Sequence, residues 1–408
     1  MLQLFPLELI DTISKSLDSR DLYICMSVSK SWYPLFRIPL YKTKLSIRSS
    51  DELSRFIQTV DDSCLGKYVY HIDFRQVDLT LTNAQRLRRL CPNLQSVGFG
   101  MDKHSCIHES TMTMQFLENF TASHVTELHM TYGIECSCSE ETSVDDSYMN
   151  SIIPCLKTLP QLVSLSLCDN AMLPKLGCVD IDNIHYHCPL LESLELNGIN
   201  LGYFTVPSNI VPASKIRNIK IHHTGMIGSD CSVWLSYFAQ KYPSLESVDL
   251  TSAGLLWAYT AQHLTLFARG CPRLKRARFG NIAWKYKVLY EVYSANTQLN
   301  EVILLPAADL VLPLPNLGFY NLIDVKGFGS LKSLTYTIAP SENFHITIQC
   351  FSRIRSLERL ELLGCKSPNP EVAMVKVLDS TIRYPQGGWT FNRRRSSSKI
   401  SYDAVDLV

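Results

Sequence analysis

The feature that most constrains this chain is a short apolar template that returns along most of its length. Apolar, two variable residues, apolar, one variable, apolar: the pattern recurs as YVYHIDF, CPNLQSVGF, HVTELHM, LPQLVSLSL, CPLLESLEL, KIRNIKI, YPSLESVDL, CPRLKRARF, QLNEVIL, SLKSLTY and RSLERLEL. Its first apolar residues are Val69, Leu94, Val125, Leu162, Leu191, Ile216, Leu245, Leu274, Leu299, Leu331 and Leu357. The ten gaps between Val69 and Leu357 average 28.8 residues. A period of this length marks stacked supersecondary units, none of which can bury its apolar face alone.

Each copy ends in the alternation of a strand, so Leu194 and Leu196 are predicted to point into the core and Ser193, Glu195 and Asn197 away from it. Several copies follow a helical pattern. Leu264, Phe267, Ala268 and Cys271 lie at i, i+3, i+4 and i+7 before Pro272 stops the helix, and Leu87, Leu90 and Cys91 do the same before Pro92. Stacked helix–turn–strand units predict an α/β fold, a curved solenoid with parallel strands on its concave side and helices on its convex side. Strands about 4.8 Å apart would give eleven copies an arc of roughly 50 Å, wide enough to cup a folded protein. The Cys-Pro-x-Leu-x-x-Leu-x-Leu form resembles the cysteine-containing leucine-rich repeat over about residues 65 to 365, with longer insertions between Leu94 and Leu162 and loose patterning from Ala339 to Ser352.

The residues ahead of the repeats follow another rule. FPLELIDTISKSLDSRDLYICMSVSKSWYPLF, Phe5 to Phe36, holds three short helical patterns, too few residues to bury a core alone. Pro6 suits a first helical turn, and Leu9, Ile10, Ile13 and Leu17 form one stripe, ended by the capping residues Asp18 and Ser19. A second helix offers Leu22, Cys25 and Met26. A third offers Val28, Trp32, Leu35 and Phe36, with a Pro39-Leu40-Tyr41 turn after it and Pro34 expected to end or kink it near Tyr33.

The order Phe5-Pro6-Leu7-Glu8, Leu17-Asp18-Ser19-Arg20-Asp21-Leu22 and Val28-Ser29-Lys30-Ser31-Trp32 resembles an F-box, with Phe5 in place of the usual leucine. That resemblance implies a substrate receptor of a Skp-cullin-F-box ubiquitin ligase. The F-box would bind a Skp-family adaptor, and through it a cullin-RING ligase, while the repeats hold a protein substrate for ubiquitination. The implied adaptor-binding residues are Phe5, Pro6, Leu9, Ile10, Ile13, Leu17, Leu22, Val28 and Trp32, some of which must instead hold the three helices together. The expected domains are an F-box at 1–45, a repeat solenoid at 46–385 and a flexible basic, serine-rich tail at 386–408. Competing readings are a helical cap on the repeat array, a non-degradative repeat scaffold and a Skp-bound interaction protein.

Composition excludes several other classes. Thirty-nine Lys and Arg against 38 Asp and Glu leave a charge of +1, so neither nucleic acid nor a membrane surface is an expected partner. Glu8, Asp11, Lys15 and Asp18 interrupt the first apolar stripe, unlike a signal peptide, and a cytoplasmic or nuclear location is expected. The apolar window Leu299 to Ile323 contains Glu301, Asp309, Pro306, Pro313 and Pro315, which argues against a membrane span. There is no Gly-rich phosphate loop, His-Glu-x-x-His or Gly-x-Ser-x-Gly, so no enzymatic activity, cofactor or metal is expected. The fourteen cysteines are scattered and read as small buried hydrophobes; Cys136 and Cys138 lack the second pair a structural zinc needs, and Cys188 fits a repeat position.

Strand parity places Glu127, His129, Glu195, Asn218, Lys220, His222, Asp249, Arg276, Arg278, Glu301, Arg359 and Glu361 on the outward strand face, with mixed signs. Lys220, His222, Asp249, Arg276 and Arg278 are the candidate substrate-binding residues. Their cations would form a local basic patch suited to an acidic or phosphorylated segment, against the plainer reading of a solvated strand face. After Tyr384 the repeat is lost; Trp389 or Phe391 could pack on the last repeat, and Arg393 to Ser398 resembles a basophilic kinase site.

Overall fold

The computed structural model describes residues 7–74, 77, 79–102, 125–134, 152–153, 156–169, 175–202, 207, 209–223, 231–252, 261–280, 295–304, 330–337, 356–363 and 388–392. The chain divides into two compact units, Met1–Ile199 and Asn200–Val408.

The first unit opens with three helices, α1 (Leu7–Lys15), α2 (Ser19–Val28) and α3 (Tyr33–Lys42). Asp18 caps α2, its carboxylate accepting from the Asp21 N–H at 2.8 Å. Ile10, Leu22 and Phe36, one from each helix, form the buried centre, with Leu17, Cys25, Met26, Trp32, Leu35 and Leu40 packed around it. The helix boundaries correct the sequence expectation. Val28 closes α2, and the third helix begins at Tyr33, so Pro34 stands in its first turn, where a missing N–H leaves nothing unsatisfied. Pro39, expected in a turn, lies inside α3. Phe36 and Leu40 flank Pro39 and both pack on the three-helix centre, which holds the helix through the lost bond.

Beyond α3 come β1 (Leu45–Ile47), α4 (Ser50–Ser63), a 3₁₀ turn (Leu65–Tyr68), β2 (His71–Phe74), α5 (Leu81–Leu90), β3 (Ser96–Asp102), β4 (Glu127–Ile134), β5 (Ser164–Asp169), β6 (Lys175–Leu176), α6 (Cys178–His187) and β7 (Ser193–Asn197). Strands β1 to β5 and β7 pair parallel, each with the next, and Leu45, Ile72, Val97, Leu128, Leu165 and Leu194 share one row. Parallel neighbours need a crossover, which α4, α5 and α6 supply where they stand between strands. Helix α4 shows how the sequence shapes one. Ser49 accepts from the Glu52 N–H at 3.2 Å, Leu53, Ile57 and Val60 bury one stripe, and Cys64 ends the helix in the left-handed region at φ 55°. Gly66 follows because nothing larger fits: a Cβ there would lie 1.9 Å from the Leu90 carbonyl oxygen at the end of α5.

The second unit holds β8 (Asn200–Leu201), β9 (Asn218–His223), α7 (Cys231–Lys241), β10 (Ser247–Ser252), α8 (Ala261–Gly270), β11 (Arg276–Phe279), β12 (Glu301–Leu304), β13 (Ser333–Thr337), β14 (Arg359–Leu363) and β15 (Gly388–Asn392). Strands β9 to β14 are parallel, with Ile219, Val248, Ala277, Val302, Leu334 and Leu360 in one row. Strand β15 runs antiparallel to β14, with Phe391 opposite Leu360 and Trp389 opposite Leu362. The reading of residues 386–408 as a flexible tail is therefore corrected at 388–392. Trp389, Thr390 and Phe391 have high strand propensity, and the edge of β14 offers them unpaired backbone groups.

In both units each strand is entered by the same turn. Two successive N–H groups donate to one carbonyl of the preceding repeat: Gln95 and Ser96 to Tyr70 at 2.8 and 2.9 Å, and Lys275 and Arg276 to Glu246 at 2.8 and 3.1 Å. The same step recurs at Thr126, Val163, Glu192, Glu246, Asn300, Lys332 and Glu358. All eleven leading apolar residues of the template, from Val69 to Leu357, are buried. With a strand, this turn and a buried leucine at every repeat, the architecture is an α/β leucine-rich-repeat array.

Cys91, Cys188, Tyr242, Cys271 and Asn296 occupy one position of that turn, each carbonyl accepting the N–H of the leucine three residues on at 3.1–3.4 Å. Asn296 keeps the position by bonding: its Nδ2 donates to the Cys271 carbonyl at 2.8 Å and its Oδ1 accepts from the Gln298 N–H. The Cys188 thiol sits 3.9 Å from the carbonyl oxygens of both Leu156 and Leu159. Burial pushes the Cys91, Cys188 and Cys271 thiols up to about 12 from an ordinary 9.0. Because the folded chain then holds three protons that the unfolded chain releases above about pH 9, their contribution to stability is complete below that pH and fades toward pH 12. Thermal unfolding from pH 7 to 11 is expected to show a midpoint falling above about pH 9, less steeply after Cys91, Cys188 and Cys271 are all replaced by alanine; equal slopes would refute the thiol contribution.

Candidate functional site

Two surfaces gather the residues singled out by sequence. The first belongs to α1–α3. Among the described residues eleven large hydrophobic side chains are exposed, and six of them, Leu9, Ile13, Tyr23, Ile24, Val28 and Tyr33, lie on these helices. Leu9 with Ile13, and Ile24 with Val28, are i, i+4 pairs, so each makes a short apolar ridge along its helix. Val28 is 61% exposed and Ile24 52%. The implied adaptor contacts divide accordingly. Leu9, Ile13 and Val28 are exposed, Leu17 and Trp32 half-buried against the helical centre, and Ile10 and Leu22 buried within it; Phe5 and Pro6 lie outside the described residues. Trp32 packs its ring 5.4 Å from that of Phe36. Sequence reasoning missed Tyr23, Ile24 and Tyr33. The signal was present for the first two: they fall between the core positions Leu22, Cys25 and Met26 of α2, on helical angles that must face away.

The second surface is the outward face of β9, β10 and β11. Register places Lys220, Asp249 and Arg278 side by side, with His222 one step further along β9 and Arg276 one step back along β11. The structure brings all five candidates together. The Asp249 carboxylate lies 3.2 Å from His222 Nε2 and 3.5 Å from Arg278 Nη1. Neither Arg278 Nε nor His222 Nε2 finds a hydrogen-bond partner although both atoms are buried, so the His222–Asp249 approach is one of distance without alignment. Arg276 is exposed and stands between Ser247 and Glu301 in register. Around the turns below, Glu246 pairs with Lys275 at 2.8 Å and Arg217 at 3.0 Å, and those cations hold its carboxyl below the usual range.

The corresponding row of the first unit differs in chemistry. Asp73, Gly98, His129, Ser166 and Glu195 follow one another in register. Asp73 leans over Gly98, where a Cβ would come within 2.4 Å of its Oδ1, and Lys44 Nζ lies 3.6 Å from its carboxylate. Burial, with Lys44 nearby, holds His129 below the usual imidazole range. Among the described residues no group of three His, Cys, Asp or Glu is placed to hold a metal ion, and no helix is long and apolar enough to cross a membrane. Cys136, Cys138 and Arg393 to Ser398 lie outside the described residues.

No protein-family profile and no curated protein matches the chain. Two solved structures are distantly similar. One is the TLR13–ssRNA13 complex, at 14% identity and a TM-score of 0.37 over 73% of this chain and 44% of that one. The other is the leucine-rich repeat-containing protein LegL7 from Legionella pneumophila, at 13% identity and a TM-score of 0.38 over 73% of this chain and 95% of that one.

Proposed function

We propose that this chain is a bridging protein in which the three N-terminal helices dock, in the manner of an F-box, on a Skp-family adaptor of a cullin-RING ubiquitin ligase, while the repeats hold a protein substrate for ubiquitination. Its contribution is tethering: it raises the concentration of the substrate beside a ubiquitin-charged enzyme. The observation that carries the reading is the cluster of exposed apolar side chains on α1–α3, in front of a body whose described surface carries few of them. A soluble protein does not leave such side chains in water on one small module unless a partner covers them. The F-box motif order supplies the partner's class. Ile10 and Leu22 serve the module by holding it together, and Leu9, Ile13, Ile24 and Val28 are the surface that an adaptor groove would take.

The test uses the full chain, co-expressed with a Skp-family adaptor and sized by light scattering. A one-to-one complex is expected. Exchanging Ile24 and Val28 for aspartate should weaken it at least about thirtyfold, since central apolar anchors contribute 2 kcal/mol or more each. The helix content should stay unchanged, because both positions face water. Absence of any complex with the wild-type chain would leave the repeats as a scaffold outside the ubiquitin system.

A further inference from the structure

We infer that the outward face of β9–β11 binds a phosphorylated side chain of a protein partner, which deepens the substrate-receptor reading above and rests on it only for the name of the partner. Four basic side chains and one acid meet there. Lys220, Arg276 and Arg278 against Asp249 leave two positive charges, with His222 outside the count. A phosphoserine carries close to two negative charges at neutral pH and three acceptor oxygens.

The donors are not used up within the protein. Asp249 is the acid that Arg278 and His222 approach, and it reaches them only at 3.5 and 3.2 Å. Arg278 Nε and His222 Nε2 are the two side-chain atoms, among the described residues, that are buried without a hydrogen-bond partner. A buried N–H without an acceptor is costly, and two of them beside one carboxylate mark a place short of acceptor oxygens. Arg278 nonetheless keeps 43% of its side chain exposed, and Arg276 is exposed too, so guanidinium groups remain within a ligand's reach. Adjacent strands lie about 4.8 Å apart, which puts Lys220 roughly 10 Å from Arg278 across the strand row. That span fits a single compact dianion.

An extended acidic segment fits less well. Glu301 is the register partner of Arg276 on the β12 side, and Asp249 stands inside the patch, so positive charge ends within three strands. A run of carboxylates would place some of them against these acids. Arginine forks also match phosphate oxygens two at a time, whereas a lone carboxylate can satisfy only one fork.

The experiment immobilises the full chain and applies ten-residue peptide libraries with randomised flanks and a fixed central phosphoserine, glutamate or serine, alongside a ten-nucleotide oligouridine. Retention of the phosphoserine library at least about tenfold above the others is expected. The paired exchange Arg276→Gln and Arg278→Gln should abolish that preference, and Arg276→Lys with Arg278→Lys should reduce it several-fold while keeping the charge. Asp249→Asn should act in the opposite direction and raise phosphopeptide retention about threefold, because it removes an acid facing the anion. A gain of this kind cannot come from misfolding. Equal retention of phosphoserine and serine libraries, equal or stronger retention of the glutamate library or the oligouridine, or a preference indifferent to all three variants would overturn the inference. None of these readouts requires the adaptor. A chain that selects phosphopeptides but forms no adaptor complex would keep this site and lose the ligase reading.

Discussion

Replacing Trp234 with alanine is expected to lower the unfolding free energy of the Asn200–Val408 unit by about 3–5 kcal/mol, the range for removing a large aromatic from a packed core. Trp234 is 1% exposed on α7, and its ring lies 5.8 Å from Tyr237, edge-on, and 5.4 Å from Phe238. Phe238 in turn stacks on Tyr242, the aromatic member of the turn position held by cysteine in neighbouring repeats. Loss of the indole removes a shared wall of this cluster and leaves a cavity that four large, mutually braced rings cannot easily close. It also strips the Gly202 carbonyl of the donor at 3.0 Å that ties α7 to the segment after β8. Trp234→Phe separates the two contributions: it restores much of the volume but not the hydrogen bond, and should cost about 1–3 kcal/mol. Urea unfolding of the full chain measures both. A loss below about 1 kcal/mol for the alanine variant would mean that the aromatic layer is not packed as described.

Gly66→Ala is the second large effect, and it arises from too much volume rather than too little. The added methyl would meet the Leu90 carbonyl oxygen at 1.9 Å, its carbon at 2.7 Å and Val60 Cγ1 at 2.7 Å. Two of these three atoms are backbone, at the end of α5, and cannot swing aside as a flexible side chain could. The 3₁₀ turn or α5 must move, and with it Val69, the 0%-exposed residue that opens the second strand's repeat. A destabilisation of about 3 kcal/mol, at the upper end for overpacking, is expected in the Met1–Ile199 unit. Gly66→Ser should be at least as harmful. A stability within about 0.5 kcal/mol of wild type would show that α5 gives way without cost.

The repeat was readable because its physics is local. A leucine, two residues, a leucine, one residue and a leucine satisfy one turn and one strand, so the register of Ile72, Val97, Leu128, Leu165 and Leu194, and of Ile219 through Leu360, follows the template position for position. Parity then put Lys220, Asp249 and Arg278 on one face, since a strand offers a side chain only two directions. The lengths of the helices near the N-terminus were less readable. A proline signals a break when helix formation is judged alone, yet Pro39 is overridden by Phe36 and Leu40, whose burial involves partners from α1 and α2 that no local window contains. The division of the F-box-like residues between module core and surface failed for a related reason. Leu9 and Ile10 are adjacent apolar residues on one helix, and which of them faces inward depends on where Leu22 and Phe36 arrive. The misaligned pair His222–Asp249 is beyond any pattern, because it depends on side-chain direction within a correct row.

A sheet assembled by stacking like on like has no internal reason to stop: each strand presents to the next the same edge that it accepted from the one before. Strand β15 supplies the stop. By running backwards along β14, it offers the outside an antiparallel edge of a different hydrogen-bond spacing, one onto which a further parallel repeat, from this chain or another, does not register. The five residues Gly388–Asn392 thus act as a chain terminator in the polymer sense. Their removal would convert a counted stack into a growing end.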